Sequence, residues 1–262
     1  MKYGFIGCGN MGGAIATALR KTTADFALTD RSGRGQALAN TLGVPYIPEN
    51  QALVQQCDRV FLGVKPQMMA GVMAGIAPVL ADKKQLLITM AAGISMEQLS
   101  QMAGVELPII RIMPNTPVST GKGVVLYCAN KLVTPDMLAD FLSDMAAAGW
   151  LEQLEERLMD AGSALSGSSP AFVYMFMEAL ADGAVACGIP RSKALELAAM
   201  TVIGAGSLML DTGLHPGALK DAVCSPGGST IEGVRTLEKQ GMRSAVTEAL
   251  CATCAKNGTL GK

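Results

Sequence analysis

Short apolar runs of strand length alternate with helical stretches along the first part of the chain. The apolar runs occupy residues 3–6, 25–30, 45–47, 59–64, 86–90, 108–113, 124–128 and 150–154. Between them, apolar residues recur at helical spacing over residues 36–42, 68–80 and 95–102. Strands that are apolar throughout and alternate with helices are typical of a parallel sheet covered on both faces. The pattern predicts an α/β domain over residues 1–155.

Beyond residue 155 the strand pattern stops and helical periodicity takes over. Helices are predicted over residues 170–187, 190–211, 215–224, 229–239 and 242–256. We expect Ser168 or Ser169 to cap the first of them, with Pro170 in its first turn and Gly188 at its end. Residues 156–262 are therefore predicted to form an all-helical domain, which is too small and apolar to be an independent unit. We expect this domain to complete its core against a partner chain.

Composition narrows the class of protein further. Hydrophobic residues make up 50% of the chain and charged residues 16%, and the formal net charge is −1. Without a basic block, this balance argues against nucleic acid or an anionic membrane as a partner. No uninterrupted apolar run reaches the roughly 18 residues of a membrane span. The first strand begins at once, with no signal peptide before it, so we expect a cytoplasmic protein.

The seven cysteines are scattered and odd in number, which does not fit a disulfide framework. Cys251 and Cys254 form a C-x-x-C pair, but no second cysteine pair or histidine stands near them. We interpret them as buried thiols of an amphipathic helix. No metal-ligand cluster, close carboxylate pair or Ser-His-Asp set stands out, so no metal is predicted.

A glycine-rich turn directly follows the first strand. Gly7, Gly9 and Gly12 have the G-x-G-x-x-G spacing, and small and apolar residues continue from there at helical spacing. Gly7 allows a tight turn, Gly9 lets the backbone approach a pyrophosphate, and Gly12 lets the helix lie close to its strand. The start of that helix offers N–H groups and the positive end of its dipole to phosphates. Strand, turn and helix in this order predict a dinucleotide-binding domain of the Rossmann type.

The residues after the second strand bear on the choice of cofactor. An acidic residue at this point accepts hydrogen bonds from the adenine ribose of NAD, whereas arginine accommodates the 2′-phosphate of NADP. Asp30 fits the first case, while Arg31, Ser32 and Arg34 fit the second or form a solvated turn. The balance favours NADP(H), with NAD(H) as the alternative.

Further candidates follow the other strands. Ligands of such sheets bind beyond the carboxyl ends of the strands, and the loops at residues 63–66, 90–93 and 113–117 lie on that edge. Lys65 in the first of these loops is either a site residue or a surface lysine.

The predicted helical domain contains two polar helix starts. Residues 224–230 combine a proline, two glycines and hydroxyl side chains directly before a helix. Such a loop is either an ordinary cap or an anion site suited to a substrate carboxylate. Residues 166–170 form a second polar helix start that is able to face the cleft. His215, the only histidine, stands in a turn that favours starting a helix over proton transfer.

This shortage of acid–base groups favours one kind of chemistry. A dehydrogenase that oxidises an alcohol normally needs a strong general base. A reductase acting on a preformed iminium needs less, because protonation already makes the carbon electrophilic and positioning supplies most of the catalysis.

Six blocks of the sequence resemble Δ1-pyrroline-5-carboxylate reductases. They are FIGCGNMG at residues 5–12, VKP at 64–66, AAG at 91–93, MPNTP at 113–117, LSGSSPA at 165–171 and HPG-x-LKD-x-V-x-SPGG-x-T at 215–230. Their order and spacing match from end to end, and the last block is far more specific than the glycine turn. The resemblance implies NAD(P)H-dependent reduction of pyrroline-5-carboxylate, a cyclic imine, to L-proline, the final step of proline biosynthesis. It also implies a homodimer intertwined through the helical domains and, in some cases, a decamer.

The resemblance assigns roles to individual positions. For the cofactor it implies Ile6, Gly7, Cys8, Gly9, Asn10, Met11, Gly12, Asn50, Gly63, Val64, Lys65, Pro66, Met90, Ala91 and Ala92, beside Arg31, Ser32 and Arg34. For the substrate it implies Gly227, Gly228, Ser229 and Thr230, to which Ser169 and Asn115 are added as candidates from the two loops above. The Thr230 hydroxyl is the catalytic candidate, since it can hydrogen-bond the imine nitrogen. Asp30 departs from the serine or asparagine that is frequent in the family.

Two other classes compete with this interpretation. β-Hydroxyacid dehydrogenases share the two-domain plan, but they carry a catalytic lysine with an asparagine one turn on, and the junction helix here carries neither. A non-enzymatic NADP-sensing protein is the second alternative, because a fold alone does not imply catalysis.

Overall fold

The computed structural model describes residues 1–23 and 25–259 and contains one seven-stranded sheet. Its strands lie in the order β2-β1-β3-β4-β5-β6-β7. They are β1 (Tyr3–Ile6), β2 (Phe26–Thr29), β3 (Arg59–Leu62), β4 (Leu86–Thr89), β5 (Ile109–Pro114), β6 (Gly123–Ala129) and β7 (Gly149–Gln153). The predicted Rossmann-type sheet followed by helices is confirmed.

One strand runs against the predicted all-parallel arrangement. β1 to β5 pair in parallel, but β6 is antiparallel to β5, and β7 is parallel to β6. The cause is the short link between β5 and β6, which holds only a 3-10 turn at Thr116–Thr120. A parallel return needs a crossover of roughly a dozen residues or more. The small strand predicted at residues 45–47 is reduced to an isolated parallel bridge between Tyr46 and Leu28. Two backbone hydrogen bonds form it, from Leu28 N–H to the Pro45 carbonyl and from Ile47 N–H to the Leu28 carbonyl.

Helices cover both faces of the sheet. Phe5 stacks on Phe61 in the core of one face, with ring centroids 4.3 Å apart. That face carries α1 (Asn10–Leu19), α2 (Arg34–Leu42) and α6 (Pro135–Met145). The other face carries α3 (Asn50–Gln56), α4 (Pro66–Lys83), α5 (Met96–Ala103) and α7 (Met159–Ser163). Helices α3 and α6 were not predicted.

The helix predicted over residues 170–187, with Pro170 in its first turn, is confirmed, but its predicted capped start is wrong. From α7 the backbone continues through a π-helical turn at Ala164–Ser168 directly into α8 (Ser169–Ala186). Neither Ser168 nor Ser169 therefore begins a helix after a loop. Proline in a helix removes a backbone hydrogen bond and crowds the preceding turn, and the widened π turn accommodates Pro170.

The chain packs into two compact units. The first comprises Met1–Ser168 together with residues from Thr253 onward, and the second is Ser169–Ala252. The sequence pattern marked the boundary at residue 155, where the last strand ends. Packing divides the chain later, because α7 lies on the sheet: a side chain at Gly162 would meet Leu126 and Leu154. Residues 260–262 of the predicted second domain lie outside the described part of the chain.

The second unit is entirely helical and leaves apolar side chains exposed. After α8 it contains α9 (Arg191–Thr212), α10 (Pro216–Val223), α11 (Ser229–Lys239) and most of α12 (Met242–Asn257). Cys251 and Cys254 lie on α12 as predicted, but the prediction that they are buried is wrong, since Cys251 is exposed and Cys254 is half-buried. Met175, Met200 and Ile203 are 69%, 65% and 59% exposed. Helix α9 is long and apolar enough to cross a membrane by length and composition, a property that uninterrupted apolar runs in the sequence did not indicate. An exposed apolar surface of this size marks an interaction face.

Candidate active site

Three glycines bring separate backbone segments into contact at the carboxyl edge of the sheet. Gly7 has a φ of +95°, a conformation that favours glycine. A Cβ at Gly12 would lie 2.2 Å from the Gly7 carbonyl oxygen, and a Cβ at Gly63 would lie 2.5 Å from the same atom. The start of α1 and the end of β3 therefore pack directly on the first turn.

Gly9, in contrast, faces open space. A Cβ there would meet nothing within 4 Å, and Gly9 precedes α1 without any side-chain cap. A helix start with uncapped N–H groups and no side chain in front of it is a cradle for phosphate. The turn fits the pyrophosphate of a dinucleotide.

Cys8 lies on the inner side of this turn. Its side chain is buried, and its backbone N–H donates to Asp30 Oδ2 at 2.9 Å. Burial, with the Asp30 charge adding to it, raises the pKa of the Cys8 thiol to about 12. Cys8 thus supports the turn from within and stays a neutral thiol.

A cavity of about 230 Å³ adjoins the glycine turn. It brings together residues from the end of β1, from three loops, from the start of α3 and from α4. Its lining consists of Ile6, Gly7, Gly9, Asp30, Arg31, Ser32, Asn50, Gly63, Val64, Lys65, Met68 and Val72. Nine of the predicted cofactor residues are among them, and Cys8, Asn10, Met11, Gly12, Arg34, Pro66, Met90, Ala91 and Ala92 are not.

Two cavity residues were missed by the sequence analysis. Met68 and Val72 are one turn apart on α4, which starts at Pro66 directly after the β3 loop. Their spacing on a helix that begins at the carboxyl edge was the available signal. Both also line a neighbouring cavity of about 490 Å³, together with Arg31 and Asn50. The two cavities therefore share four lining residues.

Asp30 is occupied by hydrogen bonds within the protein. Besides Cys8 N–H, its carboxylate accepts from the Ser32 N–H at 2.7 Å and from the Ser32 hydroxyl. Partial burial alone would raise the pKa of Asp30, but these hydrogen bonds outweigh it and lower the pKa. Asp30 is therefore an ionised group that joins the first and second loops of the site.

Asn115 is buried at the end of β5. Its Oδ1 accepts from Val124 N–H at 2.8 Å, and its Nδ2 donates to the Ser166 carbonyl at 2.9 Å. The side chain is 6% exposed. Both polar ends of this predicted substrate residue thus bind the protein itself.

The polar loop of the second unit has the geometry of a helix start. Gly227 has a φ of +69°, and α11 begins at Ser229 with no side-chain cap on its first turn. Gly228, Ser229 and Thr230 follow one another there, with the Thr230 side chain exposed. His215 accepts a hydrogen bond from Gly217 N–H through Nδ1 at 3.0 Å and caps α10. The prediction that this histidine starts a helix is confirmed.

Metal ligands are not grouped in the described residues. Across residues 1–23 and 25–259, no three His, Cys, Asp or Glu side chains lie where they could hold one ion.

Comparison with known proteins agrees with this geometry. Residues 156–260 match a family model described as pyrroline-5-carboxylate reductase dimerisation, and residues 2–93 match one described as NADP oxidoreductase, coenzyme F420-dependent. The chain is 42% identical over 266 residues to the pyrroline-5-carboxylate reductase of Escherichia coli (strain K12). The aligned region covers 100% of this chain and 98% of the relative.

Two solved structures are similar over their whole length. The reductase of Streptococcus pyogenes is 36% identical with a TM-score of 0.91, covering 99% of each chain. The Plasmodium falciparum enzyme with NADP bound is 32% identical with a TM-score of 0.90, covering 100% of this chain and 98% of that one. A Rossmann domain with a phosphate turn and a helical dimerisation domain define an NAD(P)H-dependent oxidoreductase. The chain belongs to the pyrroline-5-carboxylate reductase family.

Proposed function

We propose that this chain reduces Δ1-pyrroline-5-carboxylate to L-proline with NADPH, as the last step of proline biosynthesis in the cytoplasm. The observation that carries the proposal is the full-length likeness to reductases of this name, the E. coli enzyme among them. The glycine turn with open space at Gly9 and the adjoining cavity support dinucleotide binding in this chain itself.

The proposed reaction divides the work between cofactor and protein. The nicotinamide supplies a hydride to the carbon of the C=N bond, and the nitrogen takes up a proton. Gly227, Gly228 and Ser229 would hold the substrate carboxylate through N–H groups at the start of α11, where the helix dipole also favours an anion. The Thr230 hydroxyl would hydrogen-bond the ring nitrogen, and Ser169 remains a second candidate for contact with the substrate.

The hydrogen bonds that Asp30 accepts support a preference for NADPH over NADH. A carboxylate that selects NAD must accept hydrogen bonds from the ribose hydroxyls. Asp30 instead accepts from Cys8 and Ser32. Arg31 lines both cavities and is exposed, so it is available for a 2′-phosphate, with Arg34 nearby.

The helical unit is proposed to form a homodimer. Its match to a dimerisation family and its exposed apolar side chains support self-association. A decamer built from such dimers is the larger assembly that the family resemblance suggests.

Oxidation of reduced nicotinamide on addition of pyrroline-5-carboxylate tests the reaction. We expect rapid turnover, faster with NADPH than with NADH.

Thr230→Val should lower kcat by about 10- to 100-fold, the effect of one hydrogen bond in the transition state, with NADPH affinity intact. Arg31→Ala should weaken NADPH binding and leave NADH binding nearly unchanged. A wild-type protein that binds NADPH but does not turn over the imine would disprove the substrate assignment.

A further inference from the structure

Asn115 makes an unusual connection between the sheet and the π turn. The strand β5 ends at Pro114, and Asn115 follows at the carboxyl edge. With its Oδ1 on β6 and its Nδ2 on the Ser166 carbonyl, its carboxamide bridges two elements. Because the side chain is 6% exposed, these partners are its surroundings in the folded protein.

The Ser166 carbonyl needs this donor because of Pro170. In an α-helical continuation into α8, the carbonyl of residue 166 would accept from the N–H of residue 170. Residue 170 is proline and has no N–H. A backbone carbonyl that is shielded from water and has no partner is costly. Asn115, directly after β5, donates a hydrogen bond to this partly buried carbonyl.

The position of the π turn in the chain makes its shape relevant to substrate binding. It ends at Ser168, immediately before the candidate substrate residue Ser169. Inside it, the Ser166 hydroxyl donates to the Gly162 carbonyl at 3.0 Å. Single π turns within longer helices occur frequently at functional sites.

We propose that Asn115 is a positioning residue rather than a substrate ligand: it replaces the N–H that Pro170 lacks and so fixes the π turn before Ser169. This inference rests on the proposed function for its effect on catalysis. Its structural part, the coupling of Asn115 with Pro170, does not.

The chain offers a matched control in Asn130. Its Nδ2 donates to the Leu107 carbonyl at 2.7 Å, and its Oδ1 accepts from Ile109 N–H at 3.2 Å. Asn130 thus makes the same type of bridge, but at the opposite end of β5, away from the cofactor loops. Asn115→Ala removes two side-chain hydrogen bonds. Asn130→Ala removes three, since Asn130 Oδ1 also accepts from Leu132 N–H at 3.2 Å.

The first experiment compares these two variants in the full-length protein. We expect Asn115→Ala to lower kcat/KM for pyrroline-5-carboxylate by about tenfold, with NADPH affinity within about twofold of wild type. Asn130→Ala should keep kcat/KM near the wild-type value while losing stability to urea. Equal activity of the two variants would overturn the proposal.

The second experiment restores the backbone donor. In Asn115→Ala/Pro170→Ala the new N–H of residue 170 can donate to the Ser166 carbonyl, so stability and at least part of kcat/KM should recover. A direct substrate ligand at position 115 predicts no recovery, and that result would also overturn the proposal. Should Asn115→Ala not fold, Asn115→Asp takes its place in the same cycle, since its carboxylate keeps an acceptor for Val124 N–H and removes the donor to the Ser166 carbonyl.

The two hypotheses fail in different ways. If the wild-type protein does not reduce the imine, the proposed function fails. The unfolding midpoints of the single and double variants still measure the coupling between residues 115 and 170. Additive effects on those midpoints would disprove the coupling between Asn115 and Pro170, whatever the substrate is.

Discussion

At three glycines in and around the first turn the backbone itself is the packing surface. Gly7, Gly12 and Gly63 leave no room for a methyl group, whereas Gly9 faces open space. The glycine fingerprint therefore contains two kinds of glycine. Gly7 and Gly12 are needed for close packing of the backbone, and Gly9 leaves room for a ligand to approach.

This difference gives a paired prediction at the residue scale. Gly12→Ala should lower the free energy of unfolding by about 1–3 kcal/mol or more, since its Cβ would overlap the Gly7 carbonyl oxygen. Gly9→Val should leave the free energy of unfolding within about 0.5 kcal/mol of wild type but weaken NADPH binding by at least about tenfold, because the side chain occupies the phosphate cradle. Urea unfolding and fluorescence titration of NADPH measure both. Unchanged NADPH affinity in Gly9→Val would refute the assignment of this turn.

Asp30 predicts a pH dependence. Its pKa is lowered in the folded protein, so the ionised form stabilises the fold. That contribution is complete above the unfolded-state pKa near about 4 and is lost as the pH falls through the lower folded-state pKa. The stability difference between wild type and Asp30→Asn should therefore be constant above about pH 5 and shrink toward pH 3. A difference that grows on acidification would contradict the hydrogen-bonded, ionised Asp30.

At the scale of elements, Arg111 joins β5 to the segment that leads out of the sheet. Its guanidinium, 4% exposed for the whole residue, pairs with Asp160 at 2.9 Å and with Glu156 at 3.5 Å. Glu156 in turn accepts a hydrogen bond from Met96 N–H at the start of α5. One buried cation thus holds two helical segments.

Loss of this cation should be costly. Arg111→Met would leave two carboxylates without their partner, so we expect a loss of about 3 kcal/mol in the free energy of unfolding, the low end for a broken buried pair because both acids are partly exposed. Arg157→Ala is the control, since its pair with Glu155 is exposed on both sides and should contribute less than about 1 kcal/mol. Similar losses in both variants would argue against a special role for Arg111.

Elements with a strong local signal could be predicted from the sequence. The five parallel strands are buried on both faces and appear as continuous apolar runs, and the turn after β1 carries its own glycine pattern. Helix α3, of Asn50–Gln56, was missed because only Leu53 and Val54 are buried, too few to set a period. The antiparallel direction of β6 depends on the length of the link between β5 and β6. The π turn contacts the side chain of Asn115, which lies far from it in the sequence. Asp30 likewise binds within the protein by accepting a hydrogen bond from Cys8, 22 residues away in the sequence.

At the scale of the whole molecule, the exposed apolar face of α9 is the strongest reason to expect self-association. Ile203→Glu would place a charge on that face, and burying it in an interface without a partner is unfavourable. We expect sedimentation velocity to show smaller species than for wild type at equal concentration. Asn40→Glu, on the exposed side of α2 in the first unit, should sediment as wild type does. An unchanged assembly in Ile203→Glu would exclude this face from the interface.

The last helix has a consequence for how the protein is made. Residues from Thr253 onward belong to the first unit, and Asn257 donates to the Asp160 carbonyl at 3.1 Å. A ribosome therefore releases the sheet and its flanking helices early, yet supplies this closing segment only after all of the second unit has been translated. The nascent first unit lacks this segment while the apolar helices are synthesised. The interval of synthesis between Ser169 and Thr253 is therefore the period of greatest exposure to misfolding, and the stage at which a chaperone would matter most.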